Sequence, residues 1–206
     1  MPRLMTTDRA ALPVRRVDIG SFEEKYRQDG DPWKFATSSY EQRRYELIMA
    51  MLPRQRYRRC FEPGASIGEL TRRLALRCDE VIAAEASATA VSQAEHLLAG
   101  KYPTASVVQQ TVPDWMPDGP FDLIILSEFG YYFDGDGLRA LVNSLDALLD
   151  AKGTLVVAHW RGVSADHLMG GDEVHEIARE TLRDRRGAPD CVYTERDVRI
   201  DVWGTA

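Results

Sequence analysis

Six consecutive residues, Phe121-Asp122-Leu123-Ile124-Ile125-Leu126, constrain this chain more than any other stretch. The run is bounded and apolar on both faces, as a strand is when it is covered from both sides. Such a strand needs neighbours to pair with and helices above and below it. The surrounding chain supplies both. Cys60-Phe61-Glu62 reads as the end of a short buried strand and residues 67–76 as the helix that follows. Residues 80–85, 105–109 and 154–159 read as further strands, with helices over 88–98 and 138–149. Ala151-Lys152-Gly153 reads as the turn into the strand at 154. Alternation at this spacing predicts an α/β domain built on a parallel sheet covered on both faces.

The flanks are simpler. Residues 1–19 lack periodicity and are expected to be a mobile arm. A helix is predicted over 21–26, with Ser21 as its N-cap and Glu23 and Glu24 in its first turn. Gly30-Asp31-Pro32 breaks it. A second helix is predicted over 39–51, where Tyr40, Arg44, Ile48 and Leu52 recur at spacing four before Pro53. Beyond the sheet, 172–182 reads as a helix and 192–203 as a hairpin. With no repeat and no low-complexity segment, residues 21–206 are expected to be one domain.

Composition narrows the function classes. Among 206 residues, 32 acidic against 26 basic give a net charge of -6, which argues against a general nucleic-acid binder. No apolar run reaches the length of a membrane span, and residues 1–11 lack a signal-peptide core, so a cytoplasmic protein is expected. Cys60, Cys78 and Cys191 are odd in number and scattered, which suits reduced thiols and suggests neither a disulfide framework nor a metal site.

The stretch that carries chemistry is Glu62-Pro63-Gly64-Ala65-Ser66-Ile67-Gly68. It falls where a strand ends and a helix begins, and Gly64 and Gly68 permit a tight turn that backbone-approaching ligands need. Seventeen residues after Gly68, at the end of the next strand, stands Glu85. A carboxylate there can accept hydrogen bonds from two ribose hydroxyls. Glu62 would repel a pyrophosphate and suit an ammonium group, which separates this loop from a dinucleotide fingerprint.

These residues, with Phe121-Asp122-Leu123-Ile124, Ser127-Glu128 and Lys152-Gly153-Thr154-Leu155-Val156, resemble a class I S-adenosylmethionine-dependent methyltransferase. More narrowly the chain is similar to the nodulation protein S (NodS-like) N-methyltransferases. That likeness lies in Asp31-Pro32-Trp33-Lys34-Phe35, Ser39-Tyr40-Glu41-Gln42-Arg43-Arg44-Tyr45, Ser127-Glu128-Phe129-Gly130-Tyr131-Tyr132 and His159-Trp160-Arg161. The resemblance implies a Rossmann-like, doubly wound sheet of seven strands, the last antiparallel, with residues 21–53 as a helical cap over the cofactor. It implies that the Gly64–Gly68 loop, with Glu62 and Ser66, holds the methionine portion and Glu85 the ribose. Thr111 and Val112 would lie beside the adenine, and Ser127 below the sulfonium. Trp33, Tyr40 and Arg43 would close over the cofactor, Arg43 pairing with its carboxylate. The family's acidic residue at the adenine amine is replaced here by Gln110-Thr111, neutral acceptors.

Methyl transfer to an amine needs a group to take a proton. Glu128 and His159 stand at C-terminal strand ends, where open α/β sheets place their sites. His159 reads either as that base or as a cap on the sheet, and Glu128 reads first as an electrostatic contact to substrate. His175 reads as a surface residue that could also reach the mouth. Tyr131, Tyr132, Trp160 and Arg161 are candidates for the acceptor wall, the aromatic ones also reading as core. NodS-like relatives imply an aminosugar or aminoglycoside-like amine as acceptor, and the acidic balance suits a cation. An O-methyltransferase of a hydroxylated metabolite, a dinucleotide oxidoreductase and a non-catalytic cofactor-binding subunit remain as alternatives.

Overall fold

The computed structural model describes residues 16–204, so most of the expected arm lies outside the described residues. Seven strands form one sheet: β1 (Tyr57–Pro63), β2 (Cys78–Glu85), β3 (Ala105–Gln109), β4 (Phe121–Ser127), β5 (Leu149–Trp160), β6 (Cys191–Thr194) and β7 (Val198–Trp203). Their order is β3-β2-β1-β4-β5-β7-β6. The first five pair in parallel, and β7 runs antiparallel between β5 and β6. Among the described residues six α-helices accompany them: α1 (Ile19–Gln28), α2 (Ser39–Met51), α3 (Thr71–Leu74), α4 (Ala88–Leu98), α5 (Gly135–Leu148) and α6 (Gly171–Arg186). Among the described residues no helix is long and apolar enough to cross a membrane.

The central strand behaves as its sequence demands. All seven residues of β4 are buried, and its side chains alternate between two cores. Ile124 and Leu126 pack with α5 and α6 residues such as Leu141 and Ile177, while Leu123 and Ile125 pack with Ile48 of α2 and Leu74 of α3. The chain turns back in strand order between β1 and β4, which opens a crevice at the carboxyl ends of those two strands.

Three expectations are corrected. The helix expected over 67–76 shrinks to α3, because Ser66 (φ 52°) and Gly68 (φ 83°) adopt left-handed conformations that a helix cannot include. The turn at 151–153 is a bulge within β5: Phe121 faces Leu149 while Leu123 already faces Thr154, so the extra residues loop out. The first helix starts at Ile19, and its N-cap is Asp18, whose carboxylate accepts the Gly20 N–H; Ser21 lies inside it. Residues 16 and 17 are not free either, since Arg16 bridges to Phe133 and the Val17 N–H donates to the Tyr132 carbonyl at 2.9 Å.

Candidate active site

The crevice is a cleft of about 980 Å³, its open mouth included, walled by the ends of β1, β2 and β4 and roofed by residues 16–35. Its floor is the turn after β1. The Gly64 and Ala65 N–H groups both donate to the Ala84 carbonyl, which folds the loop back onto β2. Gly64 sits at φ 74°, and a Cβ there would come within 2.6 Å of the Phe129 ring, so left-handed backbone and close packing both require glycine. Gly68 has a different task. It does not line the cleft but packs against Ala94, where a Cβ would stand 3.0 Å from the alanine methyl.

Two carboxylates define the chemistry of that floor. Glu85 is buried and accepts the Ser66 N–H on one oxygen and the Ser87 N–H on the other, each at 2.9 Å. Each oxygen keeps a lone pair, so the carboxylate can accept from two adjacent hydroxyls. Burial raises its pKa. Glu62 is also buried, with one short bond from the Thr71 hydroxyl at 2.6 Å, and burial pushes its pKa up to about 7. A buried acid with so little compensation is a ready partner for an ammonium group. At the far end Thr111 and Val112 line the cleft beside Gln110, offering neutral acceptors and an apolar wall. This donor and acceptor set fits an amino-acid nucleoside such as S-adenosylmethionine.

Trp33, Ser66, Ser127, Glu128 and Tyr132 also line the cleft, as the sequence led us to expect of the site. Tyr40 and Arg43 do not. Both face the β6–β7 hairpin, where the Tyr40 hydroxyl donates to the Asp197 carbonyl at 3.1 Å and Arg43 pairs with Glu195 and bonds to Tyr193. The α2 arginine that enters the cleft is its neighbour, Arg44, turned by one helical step. Its buried guanidinium donates to Glu41 and to the Ser127 hydroxyl, and lies 3.9 Å from Glu128. The signal was in the spacing-four stripe of α2, where Arg44 stands among apolar residues.

The acceptor end differs more from expectation. Glu128 occupies a left-handed conformation (φ 52°), and its carboxylate accepts the Trp160 N–H and the Tyr131 hydroxyl, both at 2.6 Å. His159 is completely buried, and its Nε2 accepts the Gly130 N–H at 3.0 Å. The capping reading therefore describes it, and the base reading does not. His175 is neither on the surface nor at the mouth; it is enclosed under α6 with Nδ1 3.0 Å from the Asp201 carboxylate. Arg161 latches onto Asp172 and the Glu195 carbonyl. Tyr131, Trp160 and Arg161 stand behind the lining rather than in it. Phe22 and Tyr26, which line the cleft, carry no motif that would have marked them, whereas Phe129 lies inside the Ser127–Tyr132 motif and was assigned no role.

Comparison with known proteins agrees with this geometry. A family model described as nodulation protein S (NodS) matches residues 20–194. Nodulation protein S of Bradyrhizobium diazoefficiens is 27% identical over 157 residues, covering 74% of this chain and 75% of the relative. A solved structure from Pseudomonas syringae, described as a candidate methyltransferase, is 38% identical, with 81% of this chain and 99% of that chain covered and a TM-score of 0.67. The N-methyltransferase NodS from Bradyrhizobium japonicum, in complex with S-adenosyl-L-homocysteine, shares the fold with a TM-score of 0.74 at 19% identity, covering 90% of this chain and 97% of that chain.

Proposed function

The chain belongs to the nodulation protein S (NodS) family and is an S-adenosylmethionine-dependent methyltransferase, and from that premise we propose that it methylates an amino nitrogen of a small molecule, an aminosugar or aminoglycoside-like acceptor. The observation that carries the reading is the charge of the cleft. Glu62, Glu69, Glu85 and Glu128 line it with Arg16 and Arg44. Glu69 is paired with Arg72 and Arg73 and burial pushes the pKa of Glu62 up to about 7, so Glu85 and Glu128 carry the negative charge of the wall. A wall of that sign draws in a cationic amine and gives a neutral hydroxyl no advantage.

Bound S-adenosylmethionine supplies an electrophilic methyl group, and the protein's part is alignment and proton handling. Glu85 receives the ribose hydroxyls, and the bent backbone from Gly64 to Ser66 seats the methionine portion with Glu62 toward its ammonium. Arg44, in place of Arg43, is the guanidinium available to the carboxylate. Thr111 and Val112 border the adenine, and Ser127 stands near the reacting end. Glu128 faces the acceptor ammonium, its own position held by the Trp160 N–H and the Tyr131 hydroxyl. Aromatic Tyr132 adds a face on which a cation can rest.

The test is acceptor profiling with methyl-labelled cofactor over matched amines and alcohols, D-glucosamine and D-glucose among them. Transfer to amino groups is expected. Transfer to hydroxyls alone would reject the amine in favour of O-methylation, and tight cofactor binding with no product would favour a non-catalytic subunit.

A further inference from the structure

An ammonium acceptor must lose a proton before its nitrogen can attack, and an imidazole is the side chain whose ordinary pKa lies nearest the working range. The chain has four histidines. His96 lies in the last turn of α4, away from the cleft, His159 holds Gly130, and His175 holds Asp201. His167 is different. It sits half-buried in the loop joining β5 to α6, and its ring stacks on Tyr131 with 3.6 Å between centroids and 15° between planes. Tyr132 and Trp160 meet it edge-on at 5.5 and 6.2 Å. Tyr131 donates to Glu128, and Glu128 and Tyr132 line the cleft.

The loop that carries this ring is pinned on three sides. The Leu168 N–H donates to the Tyr131 carbonyl at 2.8 Å, the His167 N–H to the Ser164 carbonyl at 3.2 Å, and Asp166 pairs with Lys25 of α1 at 2.6 Å. The imidazole is thus held among three aromatic rings directly behind Tyr132 and Glu128, two residues of the cleft lining.

We propose that His167 is the general base of the reaction, taking the proton of an ammonium acceptor that Glu128 and the Tyr132 ring hold beside it. The inference rests on the amine reading above. His167 Nδ1 is enclosed without a partner, which leaves Nε2 to exchange the proton. Burial lowers the pKa of the ring; Glu128 after β4 and Asp166 in the same loop push it up, and Lys25 of α1 pushes it down. The result is a ring that is neutral at pH 7 and above. In the step, an N–H bond of the ammonium breaks and its proton passes to Nε2. The freed lone pair forms the N–CH3 bond while the methyl–sulfur bond breaks and leaves its electrons on sulfur. Two positive charges enter, on ammonium and sulfonium, and two leave, on methylated ammonium and imidazolium.

The test compares wild type with His167→Gln and His167→Ala. S-adenosylhomocysteine affinity, measured by calorimetry, is expected to stay unchanged and serves as the control for folding. In the wild-type complex with S-adenosylhomocysteine, the His167 Cε1–H resonance is expected to shift on adding D-glucosamine and to titrate with the midpoint of the acid limb of kcat. His167→Gln is expected to lose at least about 100-fold in kcat together with that limb. Added imidazole should restore part of the His167→Ala rate. Retention of rate and acid limb in His167→Gln would overturn the proposal while leaving the amine reading intact. Should the wild type methylate hydroxyls and no amine, the amine reading falls. The His167→Gln rate on that hydroxyl then decides the base role separately, an unchanged rate overturning it.

Discussion

A single buried oxygen pair shows how much one residue sets here. Glu62 is held mostly neutral below pH 7 because burial raises its pKa to about 7. Folding therefore retains a proton that the unfolded chain releases above about pH 4.5, and the stability contribution of the group falls as pH rises from there through 7. The proposed ammonium ligand needs the opposite state, the carboxylate. S-adenosylhomocysteine affinity is then expected to rise about fivefold between pH 6 and 7 and to level off by pH 8. Glu62→Gln should remove that dependence and weaken binding at pH 8 by roughly 10- to 100-fold, the worth of a hydrogen bond to a charged partner. The same variant should melt no lower than wild type at pH 8, since it no longer buries a charge. Calorimetry at three pH values and a thermal scan check both; an unchanged pH dependence in Glu62→Gln would remove the ammonium contact. Such a residue was legible in sequence because it ends a strand just before a glycine turn. Arg44 was legible only as an anomaly in a stripe, because helical phase decides between it and Arg43, and one residue's rotation about α2 is a tertiary matter.

At the scale of elements, the join between β1 and β4 carries the site, and it is short. Only Cys60 with Leu123 and Phe61 with Ile124 pair across it. The side chain of Asp122 extends that ladder: its two oxygens accept the N–H groups of Arg58 and Arg59 at 3.0 and 2.8 Å. This explains a carboxylate inside an otherwise apolar strand. Asp122→Ala should leave two donors unmade and cost about 1–3 kcal/mol, whereas Asp122→Asn, which keeps one acceptor, should cost less. Urea unfolding midpoints distinguish them, and equal loss in both variants would contradict the account. Strand and helix existence was readable from apolar runs and their spacing. The length of α3 and the bulge in β5 were not. The left-handed backbone of Ser66 and the extra residues opposite Phe121 arise from how the turn packs on β2 and how β5 must register with β4.

Over the whole molecule, the layer between the sheet and α6 buries two histidines in neutral form. Burial lowers the pKa of His159 and of His175, the latter despite Asp201 beside it. A depressed histidine pKa means that the unfolded chain takes up a proton below pH 6.5 that the folded chain refuses, so stability is lost as pH falls from there. His159→Gln keeps a potential acceptor for the Gly130 N–H and removes one such group. Its deficit relative to wild type is expected to narrow below pH 6.5, by up to about 1.4 kcal/mol per pH unit. Unfolding by urea at pH 7.5, 6.0 and 5.0 measures this, and a deficit independent of pH would contradict the neutral burial of His159.

The sequence by itself determined the sheet, the glycine turn at its switch point and the two acids that border it, because those depend on local periodicity and on residue types that few backbones tolerate elsewhere. Only the tertiary structure decided which arginine enters the cleft and that His159 and His175 serve the core. It also brought His167 onto Tyr131. The reason is physical: a side chain's partners are set by the rotation of its helix or the path of its loop against neighbours far along the chain, and no local pattern encodes that distance.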